Sequence, residues 1–374
     1  MFLVVWISSA FPLRARDVSA RLWDAETGRL LRTFKGFNRP CLEVVFFPDG
    51  QQILAGSLTP ELRIWNVATG KLASLFPRSS DGACRALAIS PDGQKMLAAS
   101  SLGNADIYDP KTGDLIQRLL HGQSGLKNAG FSLNGKLVFF VFDARPGFAI
   151  YDSDAGWALN SFREQTLSHS RYLTLTMNGK AQSWWDPVTG ARIRDESKIA
   201  RQDFRGTASF AYIPAPDLSK LLVWFWAGDR MKRDAHLWDI RSGNLLWTTN
   251  SMGESVRDTI DANFRHEPLE FGFSPDGLVL AAANRGGTIS LHNTKDGSVV
   301  RTLDGRENSE GVLFSPDGKK ILGCKFGREK SVAVWDVSSG KLITTFISPA
   351  ITCAGFSPDG KTIITGGDGE FRGL

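Results

Sequence analysis

Residues 355–362 read GFSPDGKT, which has the G-x-x-x-x-G-K-[ST] spacing of a phosphate-cradling loop. Such a loop aims free backbone N–H groups at a phosphate and has a helix N-terminus behind it. Here Pro358 removes one donor, Asp359 sets a negative charge where the anion would lie, and the following TIITGG run reads as a strand. The same turn recurs as FSPDGKK from Phe314 to Lys320 without the nucleotide-loop spacing, so both segments are expected to be turns. The other reactive residues are scattered. Histidines 121, 169, 236, 266 and 292 are far apart, and Cys41, Cys84, Cys324 and Cys353 form no C-x-x-C pair. Neither a zinc site nor a disulfide framework is indicated, and the cysteines read as small buried strand residues. The G-x-S-x-G elbow of serine hydrolases is absent. These patterns predict no catalytic residues, no metal and no cofactor.

The elements around these residues are short strands. The 374 residues include 11 Trp, 24 Phe, 38 Gly and 16 Pro, an aromatic-rich chain punctuated by turns. With 42% hydrophobic and 22% charged residues, it can bury a large core. The net charge of +5 is small for this length and reads first as a solubility feature. The opening MFLVVWISSAFPLRAR is too short to span a bilayer and lacks the basic leader of a signal peptide.

Self-similarity is the main signal. An aromatic residue or His followed by Asp or Asn, with Gly five positions after the first, recurs eight times. The dyads begin at Trp23, Trp65, Tyr108, Tyr151, Trp185, Trp238, His292 and Trp335. Their glycines, at 28, 70, 113, 156, 190, 243, 297 and 340, lie 42, 43, 43, 34, 53, 54 and 43 residues apart. A second marker, PDG or a relative, ends at Gly50, Gly93, Gly135, Gly277, Gly318 and Gly360 and keeps phase with the first. Pro presets φ, Asp accepts turn N–H groups and Gly takes positive φ, so each marker joins two antiparallel strands. One repeat therefore reads strand, PDG turn, strand, loop, dyad strand, TG turn, strand.

On these dyads and turns the chain resembles the WD-repeat family, in degenerate form, over nearly its whole length. The resemblance implies an all-β fold: a β-propeller of four-stranded blades around a channel, the first strand of each innermost, with peptides or proteins docking on the rim and top. Eight repeats imply eight blades in one domain, residues 1–374. The blades are expected at 35–76, 77–119, 120–162, 163–195, 205–249, 266–303 and 308–346, with 351–367 plus 18–34 as a composite closing blade. The family's Gly-His before the first strand is essentially missing, so its His, Ser/Thr, Asp and Trp hydrogen-bond network is not carried over. The 34-residue interval predicts a shortened first strand around Gln165 to Ser168. The two long intervals predict insertions of roughly ten residues near 195–205 and 252–266. Residues 1–17 are one strand too many. They read as a leader or an extra strand, or the chain as a piece of a longer repeat protein.

The segment DIRSGNLLW from Asp239 to Trp247 resembles the signature of quinone-cofactor dehydrogenases, another propeller class, but it occurs once and without recognisable metal ligands. An enzyme or ligand binder with a site at the channel mouth is the alternative reading. The main one is a non-catalytic scaffold for protein–protein interaction. Its candidate face gathers the connections into first strands and those between second and third strands. The basic residues there are Arg39, Arg85, Lys127, Arg230, Lys232, Arg233, Arg328 and Lys330, with Glu267 and Glu310 on later repeats. That asymmetry suits a charged peptide or an acidic partner. The same residues also suit an ordinary solvated surface. The basic residues are too sparse and too little interleaved with aromatics for nucleic acid. A cytoplasmic monomeric ring, or a module of a larger assembly, is expected, with no membrane association.

Overall fold

A computed structural model describes residues 18–78, 82–120, 126–132, 134–142, 147–154, 158–161, 176–177, 180–181, 184–185, 192–194, 208–216, 219–227, 232–239, 245–248, 271–283, 288–303, 311–325, 330–348 and 351–367. These residues are all strand, turn and connection. They form seven four-stranded antiparallel sheets and two two-stranded ones. Among them no helix is long and apolar enough to cross a membrane.

Sheet I takes its first two strands from Cys353–Phe356 and Thr362–Gly366, and its third and fourth from Ala20–Asp24 and Leu30–Phe34. Ala20 stands opposite Gly366 and Asp24 opposite Thr362, so strands from the two ends of the chain share one ladder. Sheet II is Cys41–Phe46, Gln52–Ser57, Glu61–Asn66 and Leu72–Pro77. Sheet III is Cys84–Ile89, Met96–Ser100, Ala105–Tyr108 and Leu115–Leu120. Sheet IV is Leu126–Phe131, Leu137–Phe142, Gly147–Asp152 and Ala158–Ser161. Sheet V is Ala208–Pro214, Lys220–Ala227, Lys232–Asp239 and Leu245–Thr248. Sheet VI is Phe271–Phe273, Val279–Ala283, Ile289–Asn293 and Val299–Leu303. Sheet VII is Gly311–Phe314, Lys320–Lys325, Ser331–Asp336 and Leu342–Ile347. Between sheets IV and V, Thr176–Met177 pairs with Lys180–Ala181, and Trp184–Trp185 with Arg192–Arg194. The fifth dyad begins in that last pair.

The core lies between sheets. One buried cluster joins sheets I, II and III through residues such as Phe34, Val44, Trp65, Leu87 and Tyr108. Others join III to IV, V to VI, VI to VII and VII to I, so packing is continuous from sheet V through sheet I to sheet IV. A fully buried Leu or Ile contributes roughly 1.5–3 kcal/mol, and the apolar middle strands supply many. Polar ties cross the same seams. Arg32 of sheet I donates to the carbonyls of Ala68 (2.6 Å) and Thr69 (3.1 Å) in the dyad turn of sheet II. Arg301 of sheet VI reaches Ser339 O in that of sheet VII at 3.2 Å.

The repeated turns have a common chemistry. Asn66 Oδ1 accepts from the Thr69 N–H (2.8 Å) and hydroxyl (2.9 Å), closing the TG turn. Gly70 then takes φ +71°, which side-chain-bearing residues rarely adopt. In the PDG turns other than that ending at Gly50 a preceding Ser completes the loop: Ser315 Oγ donates to Asp317 at 2.7 Å and accepts from the Lys320 N–H at 2.8 Å. The Gly355 to Thr362 segment is such a turn. Ser357 Oγ bonds Asp359 at 2.6 Å, and strand follows at once, so no helix N-terminus faces Gly360.

Two expectations are corrected. Lys232 and Arg233 belong to a strand rather than a loop, pairing with Ala227 and Trp226, because the eight-residue aromatic strand Lys220–Ala227 extends the ladder through them. Part of the tryptophan network survives as well: the Trp23 indole donates to Thr365 Oγ1 at 3.0 Å. The extra N-terminal strand, the short first strand near 165–168 and the two insertions lie outside the described residues.

Candidate functional site

The first strands of sheets I, II, III and IV pack side by side in that order. In sheets II, III and IV the pairing of first and second strands slips at the same place, between Cys41 and Glu43, between Cys84 and Ala86, and between Leu126 and Asn128. The residues left out of the ladder are Leu42, Arg85 and Lys127. A bulge re-aims the unpaired residue, so Arg85 and Lys127 occupy equivalent, irregular places on neighbouring sheets. Cysteine thiols brace two of the bulges: Cys41 Sγ donates to Glu43 O at 3.5 Å and Cys84 Sγ to Ala86 O at 3.9 Å. Arg85 is half-buried, and Arg39, in the connection before Cys41, is exposed.

Two further arginines stand beside this row. Arg63 donates to Gly36 O, pairs with Glu61 at 2.8 Å and lies 5.5 Å from the Phe37 ring centroid. Arg78, in the connection into sheet III, is 6% exposed and donates through Nη2 to Thr59 O at 3.2 Å and to Gly82 O. Its Nε and Nη1 have no hydrogen-bond partner. Beside Gly82 lies Leu102, 55% exposed in the loop between the second and third strands of sheet III. Arg39 and Leu102 are thus exposed and Arg85 half-buried, with the backbone of Lys127 at the equivalent place on sheet IV.

Glu43 is buried, with both carboxylate oxygens unpartnered. Burial holds its carboxyl well above the ordinary carboxylate range, and the positive charge of Arg85 opposes that shift. Burial also pushes the thiols of Cys41 and Cys353 up, and that of Cys84 to about 12. Such thiols are inert as nucleophiles. All four cysteines are free and buried.

Arg39 precedes the first strand of sheet II, and Arg85 and Lys127 lie within the first strands of sheets III and IV. Lys232 and Arg233 lie in a strand of sheet V, and Lys330 precedes the third strand of sheet VII, half-buried. Arg230 and Arg328 lie outside the described residues. Sequence reasoning missed Glu43, although an acid within the apolar run LEVVFF marks it. It also missed Arg78, which no pattern flags. Trp247, from the dehydrogenase-like segment, is buried and donates to Thr294 O of the next sheet at 3.1 Å, a structural contact. His292 is likewise buried, bonded to Gly297 O and Ser290 Oγ, and burial lowers its pKa.

Residues 28–66, the TG turn of sheet I through the dyad of sheet II, match the family model described as WD domain, G-beta repeat. In this segment the chain is similar to WD-repeat proteins. Residues 278–367 also match the model for eukaryotic translation initiation factor eIF2A. A 107-residue stretch is 36% identical to an uncharacterized WD repeat-containing protein of Synechocystis, covering 27% of this chain and 29% of that protein. Another of 104 residues is 32% identical to the WD repeat-containing protein 26 homolog of Drosophila melanogaster, covering 25% and 16%. A third of 76 residues is 36% identical to the guanine nucleotide-binding protein subunit beta of Oryza sativa, covering 20% of each. The matches span less than a third of these relatives' lengths. The four-stranded antiparallel sheets are consistent with the blades of a WD-repeat β-propeller.

Proposed function

We propose that this chain is a non-catalytic WD-repeat scaffold that binds an acidic peptide segment of a protein partner across sheets II to IV, within an eight-bladed ring. What supports this reading is the placement of Arg39, Arg85 and Lys127 at or just before the starts of three first strands that pack side by side. Positive charge repeated at one end of adjacent strands steers and orients an anionic segment, and exposed Leu102 offers an apolar contact beside it.

The test is fluorescence polarisation with a labelled oligoglutamate peptide, with oligolysine as control, on the wild type and the triple variant Arg39→Glu, Arg85→Glu, Lys127→Glu. Oligoglutamate is expected to bind the wild type with an affinity that weakens as salt rises, and the variant not at all. Equal binding by both proteins would overturn the assignment of this face.

A further inference from the structure

Glu43 is the one acid in the first strand of sheet II, and it is 1% exposed. Neither carboxylate oxygen meets a donor. Besides burial, its negative charge raises the thiols of Cys41 on its own strand, Cys84 on the first strand of sheet III and Cys353 on that of sheet I, and the positive charge of Arg85 on sheet III acts on it. Arg78, in the connection into sheet III, acts in turn on Cys84. The second strands offer glycine. Gly56 stands opposite Glu43 in register, and a Cβ there would collide with Cys84 Sγ. A Cβ on Gly366 would lie 2.6 Å from Cys353 Sγ and 3.2 Å from Cys41 O. Gly56 in the same sheet and Gly366 in sheet I thus leave room for the Cys84 and Cys353 thiols.

A carboxylate without donors in such surroundings is unstable; it takes up a proton or moves to a cation. The cation acting on it is Arg85, which also belongs to the basic face. We propose that Glu43 is a proton-operated gate on Arg85. With its proton, Glu43 stays among the thiols and leaves the guanidinium to an acidic ligand. When the O–H bond breaks and the proton passes to bulk water, the carboxylate pairs with Arg85 and withdraws that charge from the face. The gate rests on the reading of the face given above. It adds that an acidic segment binds more tightly as pH falls.

The experiment uses the full chain as wild type, Glu43→Gln and Arg85→Gln, with labelled oligoglutamate from about pH 6 to about pH 9, where the probe remains ionised. Wild-type affinity is expected to fall about fivefold across that range, the value of one rim charge. Glu43→Gln should bind as the wild type does near pH 6 and stay flat, and Arg85→Gln should be weak and flat. Melting temperatures give an independent readout. A raised carboxyl stabilises the fold fully below its unfolded pKa and loses that contribution as pH rises towards its folded pKa, so the wild-type midpoint should fall across the range while that of Glu43→Gln does not. If Glu43→Gln does not fold, the infrared C=O band of a protonated carboxyl in the wild type, fading as pH rises, reads the same proton. Binding that is tight but independent of pH overturns the gate and leaves the face standing. If no form binds oligoglutamate at any pH, the face falls; parallel melting curves and no fading band would overturn the gate as well.

Discussion

The indole N–H of Trp23 donates to the hydroxyl of Thr365 at 3.0 Å, joining residues 342 positions apart within one sheet. The same ring stacks on Phe346 of sheet VII, with centroids 4.5 Å apart and planes at 22°. One side chain therefore links strands from the two ends of the chain to each other and to the neighbouring sheet. Trp23 and Thr365 are 6% and 1% exposed, so neither partner can turn to water instead.

Replacing Thr365 by Val keeps the shape, removes the acceptor and leaves the indole donor buried. Unfolding free energy is expected to fall by about 1–3 kcal/mol, read as a lower urea midpoint at unchanged slope. An unaltered midpoint would mean that the bond contributes nothing and that stacking on Phe346 alone holds the indole.

That bond also shows how far the residues speak for themselves. The dyads and PDG turns are local, closed among the described residues by side chains within five residues of their partners, so strand order and the shared sheet of Val18 to Phe34 and Ile351 to Gly367 could be read from spacing. Trp23 bonding Thr365 is not local. With Gly-His missing there was no pattern from which to expect a surviving Trp–Thr pair. Arg85 and Lys127 were recognisable as basic residues near strand starts, but the bulges that take them out of the ladder depend on register with the second strand. Glu43 was visible as an acid in an apolar run. What could not be read is that Cys84 of sheet III and Cys353 and Gly366 of sheet I would join Cys41 and Gly56 of its own sheet around it.

Asp336 follows the dyad Trp of sheet VII and accepts from the Ser338 and Ser339 hydroxyls, each at 2.7 Å, and from the Ser339 N–H at 2.7 Å. These bonds, the Ser338 hydroxyl first, bring its pKa down to about 2. Its contribution to stability is therefore present above the unfolded carboxylate range and is lost as pH falls towards that value. Asp336→Asn is expected to lower the melting temperature at neutral pH and to leave less of the acid-induced loss. Acid titrations followed by circular dichroism check this; curves of identical shape for both proteins would contradict it.

The turn from Gly355 to Thr362 predicts a negative result with a definite signature. Asp359 Oδ1 already accepts the Lys361 N–H at 3.0 Å, Pro358 has none to give, and strand resumes at Thr362. Mg-ATP at millimolar concentration is expected to leave the melting temperature unchanged in both the wild type and Lys361→Met. Ligand present at about 100 times its Kd would add about 2.7 kcal/mol, an easily measured rise. A rise that Lys361→Met abolishes would restore the nucleotide reading.

Gly56 and Cys84 test whether the seam between sheets II and III is a fitted contact. The φ of Gly56 lies outside the left-handed region, so an alanine there meets no backbone strain but collides with the Cys84 sulfur and with its Cβ, the latter 2.8 Å away, and touches Leu87 Cδ1 at 3.4 Å. Gly56→Ala is expected to cost about 1–3 kcal/mol through overpacking. In a Cys84→Ala background the sulfur is gone while the Cβ remains, so the cost should shrink without vanishing. The difference is a coupling energy of about 0.5–3 kcal/mol in a double-mutant cycle by urea unfolding. Additive losses would mean that the two strands relax independently, and that the thiols do not form a close wall around Glu43.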